Sequence, residues 1–334
     1  MSQRVLVTGA TGLIGSHLID YFLEKEGVAL WGFRRWRTEP YREGEVRYVE
    51  GDITDYLCVA DAIERARPHV IFHLAAQSYT GPSFTAAKAT WDVNVMGTIH
   101  LLEAVRRARS KPEVIVVAGS AAAYGDQDSF PTAEDAPFRP VSPYGCSKAA
   151  QDLVAYQYWR TYGLPVIRTR SYIHVGVRQG PHNAVQSFAR QLAQAELGLR
   201  PPVVYVGNLE TRRDILDVRD AVRAFALLAE KGRPGEAYNI CRGEAVRIGD
   251  LLATLVRMSP KAVDVQRDPS RLRPTDPPLE LGSCSKLVET TGWEPMIPIE
   301  RTLEWILAWH RERARSENRG DGEPAGLDFS EGTR

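Results

Sequence analysis

Tyr144 and Lys148 stand four residues apart in the run Ser142-Pro143-Tyr144-Gly145-Cys146-Ser147-Lys148, a spacing that puts both side chains on one face of a helix. A phenol with a pKa near ~10 exchanges its proton poorly at neutral pH, and a neighbouring ammonium lowers that pKa by stabilising the phenolate. The pair therefore suits proton exchange with a carbonyl or alcohol oxygen. Ser120, just past an apolar run at 114–118, is placed to hydrogen-bond the same oxygen. Taken alone, a tyrosine and a lysine at this spacing are more often an exposed amphipathic pair, so the surroundings decide.

A second constellation lies near the N-terminus. Thr8-Gly9-Ala10-Thr11-Gly12-Leu13-Ile14-Gly15 follows a strand-like run, Val5-Leu6-Val7, and opens an amphipathic segment. Glycines there permit a tight turn and close approach of a pyrophosphate to backbone N–H groups at a helix N-terminus, so Gly9, Gly12, Leu13, Ile14 and Gly15 are expected to bind a dinucleotide. After the second strand such folds carry an acidic residue when the cofactor is NAD. This chain instead reads Gly32-Phe33-Arg34-Arg35-Trp36-Arg37. Guanidinium groups clamp phosphate, so Arg34 or Arg35 is assigned to the 2′-phosphate of NADP, with Asp52 and Ile53 beside the adenine.

These groups need elements to hold them. Strands are predicted near 4–8, 28–33, 46–49, 70–74, 114–118 and 165–169, and helices over 13–25, 54–66, 85–109 and 144–161, each with apolar residues at three- and four-residue spacing. Alternating strands and helices build a doubly wound parallel sheet of the Rossmann α/β class. Domain organisation follows: residues 1–173 form the NADP-binding domain, with returning segments near 211–241 and 299–311; 174–298 form a smaller interleaved substrate-binding lobe; and 312–334, a polar run, form a disordered tail.

Composition narrows the class further. The 42 Lys and Arg balance the 42 Asp and Glu, so no global field marks a nucleic-acid or membrane-surface partner, and any anion site must be local. Cys58, Cys146, Cys241 and Cys284 are too scattered for a metal pair or a disulfide framework, so no metal is expected and a reducing cytoplasm is the simplest setting. No apolar stretch approaches membrane-spanning length.

The order of motifs, from the glycine loop through Asn94 and Ser120 to Tyr144 and Lys148, resembles the extended short-chain dehydrogenase/reductase family over roughly residues 3–311. His73-Leu74-Ala75-Ala76-Gln77-Ser78 and Tyr124-Gly125 match as well. The resemblance implies an oxidoreductase in which Tyr144 handles the proton, Lys148 binds the nicotinamide ribose and tunes Tyr144, and Ser120 orients the substrate oxygen. It also implies that Leu74, Ala75, Ala76 and Asn94 lie along the cofactor, that Gln77 and Ser78 face the substrate, and that two copies pair through helices near 85–109 and 144–161 as a homodimer.

Gly207-Asn208-Leu209-Glu210, Arg213-Asp214-Ile215-Leu216-Asp217 and Asp268 to Asp276 are similar to the GDP-6-deoxy-D-mannose reductase and GDP-mannose 4,6-dehydratase group, the reductases most of all. That implies a GDP-linked sugar substrate with Asn208 beside it. Arg213 and Arg273 suit its diphosphate, since guanidinium matches phosphate oxygens bidentately. The dehydratases carry a glutamate two residues before the tyrosine of their Tyr-Gly motif; here Ala122 stands there and cannot exchange a proton, which favours reduction of a 4-keto sugar. Where these relatives show Asn-His, the chain has Ile173-His174, so His174 remains a substrate candidate while the contacts of the asparagine are lost. The readings are NADPH-dependent reduction of GDP-4-keto-6-deoxy-D-mannose to GDP-D-rhamnose, a 4,6-dehydratase, a 4-epimerase, or a non-catalytic NADP-sensing protein.

Overall fold

The computed structural model describes residues 2–36, 38–180, 183–272 and 275–319. The chain divides into two units. The first comprises residues 1–174, 214–245 and 280–296, and the second 175–213, 246–279 and 297–334.

The first unit is organised by a seven-stranded sheet. Its strands are β1 (Gln3–Thr8), β2 (Val28–Arg34), β3 (Arg47–Glu50), β4 (Val70–His73), β5 (Val114–Ser120), β6 (Val166–Ser171) and β7 (Ala237–Ile240), in the spatial order 3-2-1-4-5-6-7. Every pairing is parallel. Parallel strands are covered on both faces and so read as continuous apolar runs. In β1, Val5 and Val7 enter one core with Leu18, Phe22, Phe225 and Tyr238, while Leu6 enters the opposite core with Ile71, Leu101, Leu102 and Ile115. Helices α1 (Leu13–Leu23) and α6 (Val218–Lys231) contribute to the first core; α2 (Tyr56–Ala66), α3 (Gly97–Arg107) and α4 (Pro143–Tyr162) contribute to the second.

Local chemistry fixes the ends of these helices. Asp55 caps α2 by accepting from Leu57 N at 2.8 Å, and Ser142 caps α4 by accepting from Gly145 N at 3.0 Å. Pro143 occupies the first turn of α4, and Gly163 ends that helix at φ 68°.

The single helix expected over 85–109 is interrupted. Ala87–Trp91 is α-helical, Asp92–Met96 forms a π-helical turn, and α3 resumes at Gly97. Widened turns of this kind insert one residue and re-aim a side chain. Here the turn carries the fully buried Asn94.

In the second unit α5 (Ala184–Glu196) is capped by Asn183 Oδ1, which accepts from Val185 N at 2.9 Å. Beside it runs α7 (Ile299–Arg319), and Val203–Val206 pairs in parallel with Asp264–Arg267. Two expectations are corrected here. The 299–311 segment joins this unit rather than returning to the sheet, and the chain stays helical to Arg319 instead of loosening at 312. Arg311 bonds Glu196 on α5 at 2.7 and 2.9 Å, His310 Nε2 meets Gln186 Oε1 at 2.9 Å, and Ala314 and Ser316 are buried. Further along, Arg313 and Glu317 pair at i,i+4. The polar composition of this turn had concealed one buried stripe. Residues 320–334 lie outside the described residues. Among the described residues no helix is long and apolar enough to cross a membrane, and no group of His, Cys, Asp and Glu is placed to hold a metal ion.

Candidate active site

The glycine loop is built by steric exclusion. Gly9 has φ +69°, and a Cβ there would stand 2.8 Å from Ala75 N and 2.9 Å from the Leu74 carbonyl carbon. A Cβ on Gly15 would lie 2.2 Å from Gly9 O. Loop and helix can therefore close on one another only as glycines. Gly12 N donates to Gly9 O at 3.0 Å, and Gly12 itself is exposed at the N-cap of α1, where the first turn offers N–H groups to an anion. Leu13 and Ile14 open the helix half-buried against the core.

At the end of β2 the Arg34 side chain is nearly covered, while Arg35 is exposed. The Arg34 guanidinium bonds Thr38 O and pairs with Glu50, and its Nε is buried without a hydrogen-bond partner among the described residues. A guanidinium with an unused N–H and an exposed arginine beside it fit an anion at this edge of the sheet. Asp52 accepts from Thr54 N and Oγ1 at 2.9 and 2.7 Å in an exposed local turn, and Ile53 packs under Gly97 with its carbonyl 3.2 Å from His100 Nδ1.

The Ser-Tyr-Lys group assembles from two adjacent elements. Ser120 ends β5 and accepts from Ala122 N at 3.2 Å. Tyr144 and Lys148 lie one turn apart on α4, with the Lys148 Nζ 6.0 Å from the Tyr144 ring centroid. Burial raises the Tyr144 pKa and a hydrogen bond with Ser120 opposes that rise, so the phenol holds its proton at neutral pH. Lys148 is pushed down to about 7 by burial. Its Nζ donates to Ala118 O at 2.9 Å and Gln151 Oε1 at 2.8 Å, both uncharged.

Asn94 supports this group from the π-helical turn. Its Oδ1 accepts from Gln77 N at 2.8 Å, and its Nδ2 donates to Gln77 O at 3.1 Å and Ser147 Oγ at 2.9 Å. Ser147 in turn donates to Tyr144 O at 2.7 Å. The structure thus brings Gln77, Asn94, Tyr144 and Lys148 together. Leu74, Ala75 and Ala76 follow β4 half-buried, and Ser78 is exposed.

Other predicted residues sit differently. His174 is buried and held neutral, its pKa lowered to about 4 by burial. Arg213 is buried and pairs with Asp276 at 2.6 Å, and Asn208 Nδ2 reaches the same carboxylate at 3.3 Å. The expected diphosphate clamp therefore begins as an ion pair. Arg273 lies outside the described residues.

Sequence reasoning missed Thr8, Thr98, Gln151 and Ser171. Thr8 Oγ1 meets His73 Nδ1 at 2.8 Å, and Thr98 Oγ1 meets His73 Nε2 at 2.9 Å. Ser171, beside Ser120 in the sheet register, buries an Oγ with no partner among the described residues. Two of these had a local signal: Thr8 heads the glycine-loop run, and Gln151 follows Lys148 by three positions and shares its helix face.

Comparison with known proteins identifies the family. A family model described as GDP-mannose 4,6 dehydratase matches residues 6–306. A GDP-6-deoxy-D-mannose reductase of Pseudomonas aeruginosa is 31% identical over 95% of this chain and 100% of its own length. The solved structure of RMD from Pseudomonas aeruginosa complexed with NADPH superposes with a TM-score of 0.81 at 29% identity, covering 93% of this chain and 100% of that one. A UDP-glucose 4-epimerase of Thermotoga maritima with UDP-glucose gives 0.82 at 26% identity, covering 92% and 98%. With a glycine loop, a Ser-Tyr-Lys group and a match across most of its length, the chain belongs to the GDP-mannose 4,6 dehydratase family of nucleotide-sugar enzymes.

Proposed function

We propose that the protein reduces a nucleotide-linked 4-keto-6-deoxy sugar with NADPH, converting GDP-4-keto-6-deoxy-D-mannose to GDP-D-rhamnose. The observation that carries this reading is a Tyr144 phenol kept protonated beside Ser120 and Lys148, while Ala122 supplies no acid or base for a dehydration.

The glycine loop, the first turn of α1 and the Arg34–Arg35 pair would hold the cofactor. The buried, unused Nε of Arg34 is the feature that fits a 2′-phosphate best. When bound, NADPH supplies the hydride for the sugar C4. The chain's own residues do the rest. Ser120 orients the ketone oxygen, Tyr144 gives its proton to the alkoxide that forms there, and the Lys148 ammonium stabilises the phenolate left behind. Asn94 fixes the helix turn that presents Tyr144, through Ser147. Arg213 and Asn208 are assigned to the substrate, which shares them with Asp276. A second copy of the chain is expected on the face of α4 that leaves Leu153 and Tyr156 exposed, with Trp91 and Met96 nearby in sequence to α3.

The test is to incubate the pure protein with GDP-4-keto-6-deoxy-D-mannose and NADPH. Stoichiometric loss of NADPH absorbance with formation of the 6-deoxy alcohol is expected, abolished in Tyr144→Phe with NADPH binding retained. Intact ketone and unchanged absorbance overturn the assignment, and conversion without net loss of NADPH makes the enzyme an epimerase.

A further inference from the structure

Lys148 is almost wholly buried, yet among the described residues no carboxylate bonds it. What holds it is the carbonyl of Ala118 and the side-chain amide of Gln151. The orientation of that amide is not free. Gln151 Nε2 donates to Thr98 Oγ1 at 2.8 Å, and the Thr98 hydroxyl spends its only hydrogen on Asn94 O at 2.7 Å. Thr98 Oγ1 can therefore only accept from its other neighbours, which makes His73 Nε2, 2.9 Å away, a donor. At the other side of the ring, Thr8 Oγ1 accepts from Leu74 N and Ala75 N, each at 3.2 Å, so its hydrogen goes to His73 Nδ1. Each proton in the line has one place, and His73 must be neutral, consistent with burial lowering its pKa to about 3. Rotating the Gln151 amide would set an NH2 against the Lys148 ammonium and a carbonyl against an oxygen with no hydrogen left to give.

We propose that Gln151 is a positioning residue for the reaction: its amide, locked by Thr98, aims a neutral oxygen at Lys148, tying that lysine through His73 and Thr8 to the glycine loop and setting the alkaline limit of turnover. The inference rests on the role given above to Tyr144 and Lys148. Burial lowers the Lys148 pKa to about 7, and a neutral acceptor keeps the ammonium in place without offsetting that fall as a carboxylate would. The other titratable groups around it have separate commitments. Tyr144 lies on the same helix with Ser120 as its partner, His73 on β4 is neutral, and Asp152 on α4 is bound to Arg168 and Arg170 of β6. Gln151 is thus the polar side chain closest to Lys148 that a substitution can change without breaking another ion pair.

The experiment compares wild type, Gln151→Glu and Gln151→Met. Lysine labelled with 13C at Cε is titrated by NMR in the protein without cofactor, the Lys148 signal being assigned by its loss in Lys148→Met. The pH profile of kcat is then measured with saturating NADPH. Gln151→Glu places a carboxylate against the ammonium and should raise the Lys148 midpoint by about one to three pH units, carrying the alkaline limb of kcat with it. Gln151→Met removes the acceptor and should lower both, so that at a pH above the wild-type limb kcat falls about tenfold for each unit of displacement. Limbs and midpoints unchanged in both variants, with wild type active and Tyr144→Phe inactive, overturn the role of Gln151. Turnover surviving in Tyr144→Phe overturns instead the reading of Tyr144, and the NMR midpoints still decide whether Gln151 tunes the lysine.

Discussion

Replacing Asp152 by Asn should cost about 3–5 kcal/mol of folding stability. Asp152 lies on α4 with its side chain 3% exposed and faces two arginines of β6. It bonds the Arg168 guanidinium and accepts from Arg170 Nε at 2.9 Å and Nη2 at 3.3 Å. The arginine side chains are themselves only 13% and 8% exposed, so solvent screens the cluster weakly. An isosteric amide keeps the volume and removes the charge, leaving two buried guanidinium groups facing each other. Some compensation survives. Arg168 retains Gly235 O at 2.8 Å, and Arg170 retains Glu134 O at 2.7 Å, Tyr124 Oη at 3.0 Å and the Phe138 ring at 4.6 Å. Those neutral contacts argue for the lower part of the range, about 3 kcal/mol, still a large share of the ~5–15 kcal/mol that stabilises a typical domain. Equilibrium urea denaturation of both proteins at neutral pH measures it, with an unchanged m-value as the sign that the unfolded state is the same. A loss under about 1 kcal/mol would refute the reasoning, because a solvated, weakly coupled cluster would then be the correct description.

Two further outcomes follow, one from buried histidines and one from a close backbone approach. His73, His174 and His310 have folded-state pKa values lowered to about 3, 4 and 3, chiefly by burial, so each is neutral when folded and gains a proton on unfolding below its usual ~6.5. Their stabilisation is complete above ~6.5 and is lost as pH falls toward 4 and then 3; lowering pH from 6.5 to 5 should cost about 2 kcal/mol per histidine, and His310→Gln should flatten the measured slope of unfolding free energy against pH. Gly9→Ala puts a Cβ at φ +69° and 2.8 Å from Ala75 N, a backbone atom that cannot swing aside. It should destabilise the fold by about 2 kcal/mol and weaken NADPH binding at least tenfold by fluorescence titration; wild-type values in both assays would remove the argument for the loop.

By itself the sequence determined what is local. Glycines at positions 9, 12 and 15 after an apolar run, and Tyr144 and Lys148 one helical turn apart, encode their geometry within a few residues, and the alternation of strand and helix periods carried the sheet. Tertiary structure decided whatever depends on partners far along the chain. The turn at Asn94 widens because one amide serves Gln77 and Ser147, and α7 continues to Arg319 because a stripe within a polar run is covered in the second unit. Arg34 reads as a free cation in the sequence, yet it folds onto Glu50, and Arg213 is met by Asp276. Residue type announces Tyr144 and Lys148 as a proton-handling pair. Burial sets their acidity, with Ser120 opposing it at Tyr144, and Ala118, Gln151, Thr98 and His73 hold Lys148 in a line that converges only when β4, β5, α3 and α4 pack, because desolvation and hydrogen-bond direction are properties of a packed site.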